Sequence, residues 1–267
     1  MSELRVSLVQ SELHWEDPEA NRRLLDSRMG TLDGSRTDLI VLPEMFATGF
    51  TMNAEIMAEP ADTSPTIEWM RRQARERDCI VTGSLAIAER GSCYNRLVWM
   101  TPAGQMSVYD KRHLFRMGDE PNHYAAGSRR QIVEVKGMRV MLSVCYDLRF
   151  PVWLRQQPTA EQPFEYDVLL CVANWPAPRR HPWRTLLQAR AIENLSYVVG
   201  VNRVGEDGNG LPYAGDSMVV DFKGEPIVDH SPNETFVETA TLSLDSLKTF
   251  RDKFPAWQDA DTFHWGD

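Results

Sequence analysis

The chain has 267 residues, 42% hydrophobic and 25% charged, which allows a sizeable buried core and excludes the disordered and fibrous classes. With 29 basic against 38 acidic residues the net charge is -9, and no Lys/Arg-rich block is present to track a phosphate backbone, so a small-molecule partner is expected and a nucleic acid is not. The opening MSELRVSLVQ lacks a basic segment followed by an apolar core, and no apolar run approaches the roughly eighteen residues of a membrane span, which predicts an unanchored, cytoplasmic protein.

In chain order, Leu4 to Gln10 alternates as a first strand, and Asp17-Pro18 opens a helix carried by Ala20, Leu24, Leu25 and Met29. Asp38 to Glu44 is a second, apolar strand that ends in a carboxylate. Thr63 or Ser64 caps a helix begun by Pro65, which stops near Asp78 before a third strand, Cys79 to Ala88. Hairpin strands follow, Tyr94 to Met100 and Gln105 to Tyr109, and the second runs into Asp110-Lys111-Arg112-His113. Leu114 to Gly127 has no period and predicts a loop, which carries Asp119 and Glu120.

Gln131 to Val135 and Met138 to Val144 form a hairpin around Lys136-Gly137, and its second strand ends at Cys145. Pro151 opens a helix through Trp153 and Leu154. The strand Tyr166 to Val172 leads into Ala173-Asn174-Trp175, then a helix from His181 to Ser196 and a strand from Tyr197 to Asn202. Ser217 to Asp221 and Pro226 to Val228 close the pattern as a hairpin. Two halves of this kind predict an α/β fold, with mixed sheets stacked face to face and helices outside, in one domain over 1–267 with internal pseudo-symmetry. Beyond Leu244, the aromatics Phe250, Phe254, Trp257, Phe263 and Trp265 are expected to pack on a neighbouring surface such as a second subunit.

The four cysteines, Cys79, Cys93, Cys145 and Cys171, stand 14, 52 and 26 positions apart, match no C-x-x-C spacing, and are expected to be free thiols. The six histidines are equally scattered, and no metal site is expected. Three polar residues stand where buried strands end: Glu44, Lys111 and Cys145. Strand ends on one edge of an α/β sheet open into the crevice where ligands bind. Together they supply an acyl-transfer apparatus, with Cys145 as nucleophile, Glu44 as base, and Lys111 beside the backbone N–H of Tyr146 for the oxyanion. Taken one at a time, Glu44 also reads as a strand-end carboxylate facing water and Cys145 as a small buried hydrophobe. Arg149 and the helix start at Pro151 are expected close to the sulfur, where both favour thiolate. Arg149 has a second reading as a fork for a remote substrate carboxylate. Trp175 and Phe46 read either as walls of the pocket or as core aromatics.

LPEMFATGF around Glu44, YDKRHLF around Lys111 and SVCYDLRFP around Cys145, in that order, resemble the three signatures of the nitrilase superfamily of carbon-nitrogen hydrolases. The likeness runs on through ANW at 173–175, QARAIEN at 188–194 and YAGDSMVVDFKGE at 213–225. It implies a four-layer αββα sandwich, a Glu44-Lys111-Cys145 triad, and a second glutamate in the loop after the lysine, for which Glu120 is the position that fits. It implies no cofactor and a homodimer or higher oligomer. The CYDLRF form is most similar to the ω-amidase branch, which hydrolyses monoamides of short dicarboxylic acids such as 2-oxoglutaramate through a thioester. Hydrolysis of an N-carbamoyl amine or an aliphatic amide or nitrile is the alternative, although Tyr146-Asp147 stands where true nitrilases carry a tryptophan-glutamate pair. A silent scaffold would have no need of all three residues.

Overall fold

The computed structural model describes residues 3–32, 37–158, 162–261 and 263. Its first half contains β1 (Glu3–Gln10), α1 (Pro18–Gly30), β2 (Leu39–Val41), α2 (Ala54–Met57), β3 (Glu59–Pro60), α3 (Pro65–Arg77), β4 (Ile80–Glu89), β5 (Ser92–Met100) and β6 (Met106–Asp110). The second half contains β7 (Ile132–Val135), β8 (Met138–Val144), α4 (Pro151–Leu154), β9 (Val168–Val172), α5 (Arg180–Asn194), β10 (Tyr197–Val201), β11 (Val204–Glu206), β12 (Pro212–Ala214), β13 (Met218–Val220), β14 (Pro226–Asp229), β15 (Phe236–Ser243) and α6 (Leu244–Lys253).

Local chemistry sets the helix starts. The Asp17 side chain accepts the Ala20 N–H at 2.9 Å and Pro18 takes the first helical position. Of the two candidate caps for α3, Ser64 is the one used, accepting the Ile67 N–H at 3.0 Å.

Strand order in the first sheet is β15-β1-β2-β4-β5-β6, with β3 beside β4, and in the second it is β14-β13-β10-β9-β8-β7. Read from β15 and from β7 respectively, both sheets give one antiparallel pairing, two parallel, then two antiparallel. The internal pseudo-symmetry therefore reaches the direction of each strand. Strand alternation sorts side chains between two cores. Leu4, Val6, Leu8, Leu39, Val41, Leu97 and Trp99 meet Val140, Leu142, Val144 and their neighbours between the sheets. The alternate residues Val9, Ile40, Val81, Val98 and Met100 pack on Leu25 and Met29 of α1 and Ile67, Met70 and Ala74 of α3. On the far face Trp183, Leu187 and Ala191 of α5 cover the second sheet. The result is the αββα sandwich.

Several segments depart from the sequence reading, the unpredicted short elements α2, β3, β11 and β12 among them. The helix at Pro151 is a single turn, α4. β15 was not anticipated and pairs antiparallel with β1 from Glu3↔Ser243 to Gln10↔Phe236, closing the edge of the first sheet. After it, α6 buries Leu244, Leu247 and Arg251 on its own chain, with Phe250 against Phe222 at 4.8 Å and Trp257 against Phe164 at 5.7 Å. Phe254 remains 53% exposed, and Trp265 lies outside the described residues. No helix among the described residues is long and apolar enough to cross a membrane.

Candidate active site

Glu44, Lys111, Glu120 and Cys145 come together at the carboxyl ends of strands from both sheets. β2 ends at Val41, and Leu42 still donates its N–H to Thr82 O at 2.7 Å before Pro43 turns the chain and delivers Glu44. Glu44 follows the middle strand of the first parallel trio and Asn174 follows the middle strand of the second, so pseudo-symmetric strand ends meet. The Asn174 N–H donates to Glu44 Oε2 at 2.7 Å, and its side-chain amide donates to the Glu44 carbonyl. Lys111 extends β6, its N–H bonded to Asn95 O at 3.0 Å and its carbonyl accepting the Gly127 N–H at 2.9 Å.

Cys145 follows β8 with φ +45°, a sparsely populated conformation for a residue with a side chain. It leads a 3-10 turn, Cys145–Arg149. Asp147 holds that turn: Oδ2 accepts the Val144 N–H at 3.0 Å and the Tyr109 hydroxyl at 2.7 Å, while Oδ1 accepts the His113 N–H at 2.9 Å and the His113 ring Nδ1–H at 2.8 Å. One buried carboxylate thus ties the segment carrying Lys111 to the segment carrying the thiol.

The ionic centre is fully buried. Lys111 Nζ lies 2.9 Å from Glu44 Oε1 and 3.0 and 2.9 Å from the two Glu120 oxygens. Asn95 Nδ2 bridges Glu44 Oε1 at 2.7 Å and Glu120 Oε1 at 3.2 Å, and the Phe115 N–H donates to Glu120 Oε2 at 2.5 Å. Each such charge would cost several kcal/mol if left unpaired, so the site depends on this saturation. Burial works against the Lys111 ammonium, but Glu120 and Glu44 outweigh it and hold the group protonated above its ordinary range. Burial, reinforced by Glu44, pushes the Glu120 carboxyl up against the pull of Lys111.

Cys145 is 9% exposed, with Sγ 4.0 Å from Asn174 O. Burial first, then the charge of Glu44, push its thiol well above the usual value, with Lys111 acting in the opposite sense. This corrects the expectation of a thiolate favoured by Arg149 and a helix at Pro151. The guanidinium of Arg149 lies instead over the Trp175 ring, 4.7 Å from its centroid, and α4 begins only after the 3-10 turn.

The thiol opens into a cleft of about 530 Å³, lined among others by Phe50, Phe115, Tyr146, Arg149, Asn174, Trp175 and Arg179. Tyr146 meets Phe115 edge-on at 5.1 Å, and Trp175 is fixed by its N–H to Asn202 Oδ1 at 2.8 Å. Phe46 is not in this wall. It is fully buried on the opposite face of the first sheet, 5.8 Å from Trp69, and it fills the space over Gly83. Phe50, four residues on, takes the place expected for it, with Lys111 Nζ 5.0 Å from its ring. Asn95, Phe115 and Arg179 were not singled out from the sequence, and Asp147 was named only as part of the Tyr146-Asp147 pair, without its anchoring role. Asn95 lies mid-strand in β5 and gives no local signal, whereas Asn174 stands in the ANW run. Among the described residues no group of three or more His, Cys, Asp or Glu is placed to hold a metal ion.

A family model for carbon-nitrogen hydrolases matches residues 5–252. The chain is 46% identical over 263 residues to the omega-amidase YafV of Escherichia coli K12, covering 98% of this chain and 99% of that one. It is 30% identical over 257 residues to the 2-oxoglutaramate amidase of Bacillus subtilis 168, covering 95% and 96%. XC1258 of Xanthomonas campestris, a CN-hydrolase superfamily protein with an arsenic adduct in its active site, has a crystal structure that matches at TM-score 0.96 and 47% identity over 100% of both chains. Nit3 of Saccharomyces cerevisiae, from the nitrilase superfamily, shares the fold at TM-score 0.82 and 20% identity, covering 95% of each.

Proposed function

The chain belongs to the carbon-nitrogen hydrolase family of the nitrilase superfamily and is an amidase, and from that premise we propose that it is an ω-amidase, cleaving the amide of a short dicarboxylic acid monoamide of the 2-oxoglutaramate or 2-oxosuccinamate type. The observation that carries the reading is the saturated Glu44-Lys111-Glu120 network beside a protonated thiol, at the floor of a cleft whose wall holds the cation Arg149.

In this reading the amide carbonyl points its oxygen at Lys111 and the Tyr146 N–H. Because the thiol rests protonated, attack requires a base in the same step, and Glu44 takes the proton as the Cys145 sulfur bonds to carbon. One Nζ–H of Lys111 can serve both Glu120 oxygens and another serves Glu44, which leaves the third for the developing oxyanion. The proton returns from Glu44 to the nitrogen, the C–N bond breaks, and ammonia leaves a thioester on Cys145. Water, deprotonated by Glu44, hydrolyses the thioester to the acid, while Glu120 holds Lys111 in place. Tyr146 and Trp175 wall the substrate, and Arg149 donates two N–H bonds to its far carboxylate. The chain is taken to act as one unit in a homodimer or higher oligomer, supported by the exposed Val152, Ile192 and Phe254; sedimentation velocity tests that part.

A panel of amides scored by ammonia release tests the substrate class, with 2-oxo acid ω-amides, unsubstituted monoamides, neutral amides, N-carbamoyl amines and a nitrile. The ω-monoamides are expected to lead, and equal rates on neutral amides of the same length refute the assignment. Intact mass of the enzyme with substrate, with Cys145→Ala as control, tests the thioester.

A further inference from the structure

Among the described residues two arginines face the cleft, Arg149 and Arg179, and Arg179 has no assigned role. Arg179 closes the 3-10 turn Ala177–Arg179 and stands immediately before α5. Its guanidinium lies 5.3 Å from the Phe115 ring centroid, and its carbonyl accepts the Trp175 indole N–H at 2.8 Å. That same indole carries Arg149 on its face. One buried tryptophan therefore touches both residues, Arg149 through its ring face and Arg179 through the main chain.

The neighbouring arginines are committed elsewhere. Arg180 grips Asp216 through two bonds of 2.9 and 2.7 Å, and Arg184 reaches Asp216 and Asp229. Neither Arg149 nor Arg179 has a carboxylate partner among the described residues. The acids of the cleft are already engaged: Asp207 accepts the Asn209 and Leu211 N–H groups and the Tyr213 hydroxyl, and Glu16 accepts the Thr51 hydroxyl. A guanidinium resting on an aromatic face keeps its in-plane donors available for a ligand. Two arginines with unspent donors in the cleft of the thiol offer a substrate carboxylate a local pair of cationic partners.

We propose that Arg179 is a second carboxylate-reading residue, which with Arg149 grips the acid end of the monoamide; the inference rests on the ω-amidase reading above. Two guanidinium forks offer more in-plane donors than one carboxylate accepts, and the surplus suits the adjacent carbonyl oxygen of a 2-oxo acid.

The test compares kcat/KM of the wild type, Arg179→Ala and Arg179→Lys on 2-oxoglutaramate, succinamate and the neutral butanamide. Arg179→Ala is expected to lose roughly 10–100-fold on the two acids, the size of one charge-assisted interaction, carried mainly by KM. On butanamide it changes by less than about twofold. The Arg179 carbonyl that holds Trp175 is main chain and survives both substitutions. Arg179→Lys keeps the charge without the fork and is expected to lose roughly 3–10-fold on the acids, which also answers the question if the alanine variant fails to fold. Equal losses on acids and butanamide, or none on either, overturn the inference and leave the ω-amidase reading standing. A wild type that does not favour the acids over butanamide overturns both.

Discussion

Asp147→Asn changes one atom type at the point where the segments carrying Lys111 and Cys145 are tied. The carboxylate accepts four hydrogen bonds, two on each oxygen, and one donor of each pair is a backbone N–H that cannot turn away: His113 on Oδ1 and Val144 on Oδ2. Whichever way the new amide is oriented, its NH2 faces one of those N–H groups and a second donor beside it. Two charge-assisted bonds are lost at about 1.5–3 kcal/mol each, less what the Tyr109 hydroxyl or the His113 ring recovers by reorienting, so roughly 3–5 kcal/mol is expected. For a chain of this size that is a drop in Tm of roughly 6–20 °C. Differential scanning calorimetry and urea denaturation followed by tryptophan fluorescence measure it. At 25 °C, where the variant remains folded, kcat is expected to fall at least tenfold with KM little changed, about 1.4 kcal/mol or more lost in the transition state alone. A Tm within about 2 °C of wild type together with unchanged kcat refutes the view that this carboxylate aligns the thiol with Lys111.

Cys145→Ser is expected to lower turnover by roughly a thousandfold or more, since an alkoxide is far harder to generate than a thiolate; near-normal ammonia release in that variant counts heavily against attack by a thiolate. The thiol is pushed well above its ordinary value, so the thiolate fraction rises with pH only beyond the usual range. Alkylation of Cys145 by iodoacetamide, followed by intact mass, should still be accelerating above about pH 9. Glu44→Gln removes the negative charge that raises it and should shift that profile to lower pH, whereas a plateau below about pH 8 in wild type contradicts the electrostatics. Gly127→Ala places a Cβ 2.0 Å from the Asp110 carbonyl oxygen, so the strand end that carries Lys111 has to move. A loss in kcat of roughly tenfold or more is expected from steady-state kinetics, and full activity would mean the Lys111 segment tolerates the displacement.

Much of this was legible in the chain because polar residues interrupt apolar runs at strand ends. Glu44, Lys111 and Cys145 each break such a run, and the structure brings all three together. Between wall and core, the two readings of Phe46, the chain could not decide because the turn after Pro43 has no period. Met45 adopts φ +43°, which sends the next ring to the helix side of the sheet and leaves Phe50 at the cleft. β15 escaped notice because FVETATLS is an edge strand, half-buried along most of its length and mixed with Thr and Glu, so alternation never becomes sharp. Asn95 bridges two carboxylates that lie 51 and 25 positions away, a convergence no local pattern encodes. The thiol's ionisation was read with the wrong sign because burial and Glu44, which dominate it, are tertiary facts, while the arginine four residues along is a sequence neighbour.

The pairing of β1 with β15 has a consequence for biosynthesis. β1 meets its partner along its full length only when residue 243 has been made, roughly 10–50 s after β1 itself at common elongation rates of about 5–20 residues per second. Through that interval one side of β1 presents an open row of amides and carbonyls. A nascent or truncated chain that stops short of Phe236 keeps that edge bare and lacks Ala240, Leu242, Leu244 and Leu247 of the core between the sheets, and is the species on which chaperones and self-association compete.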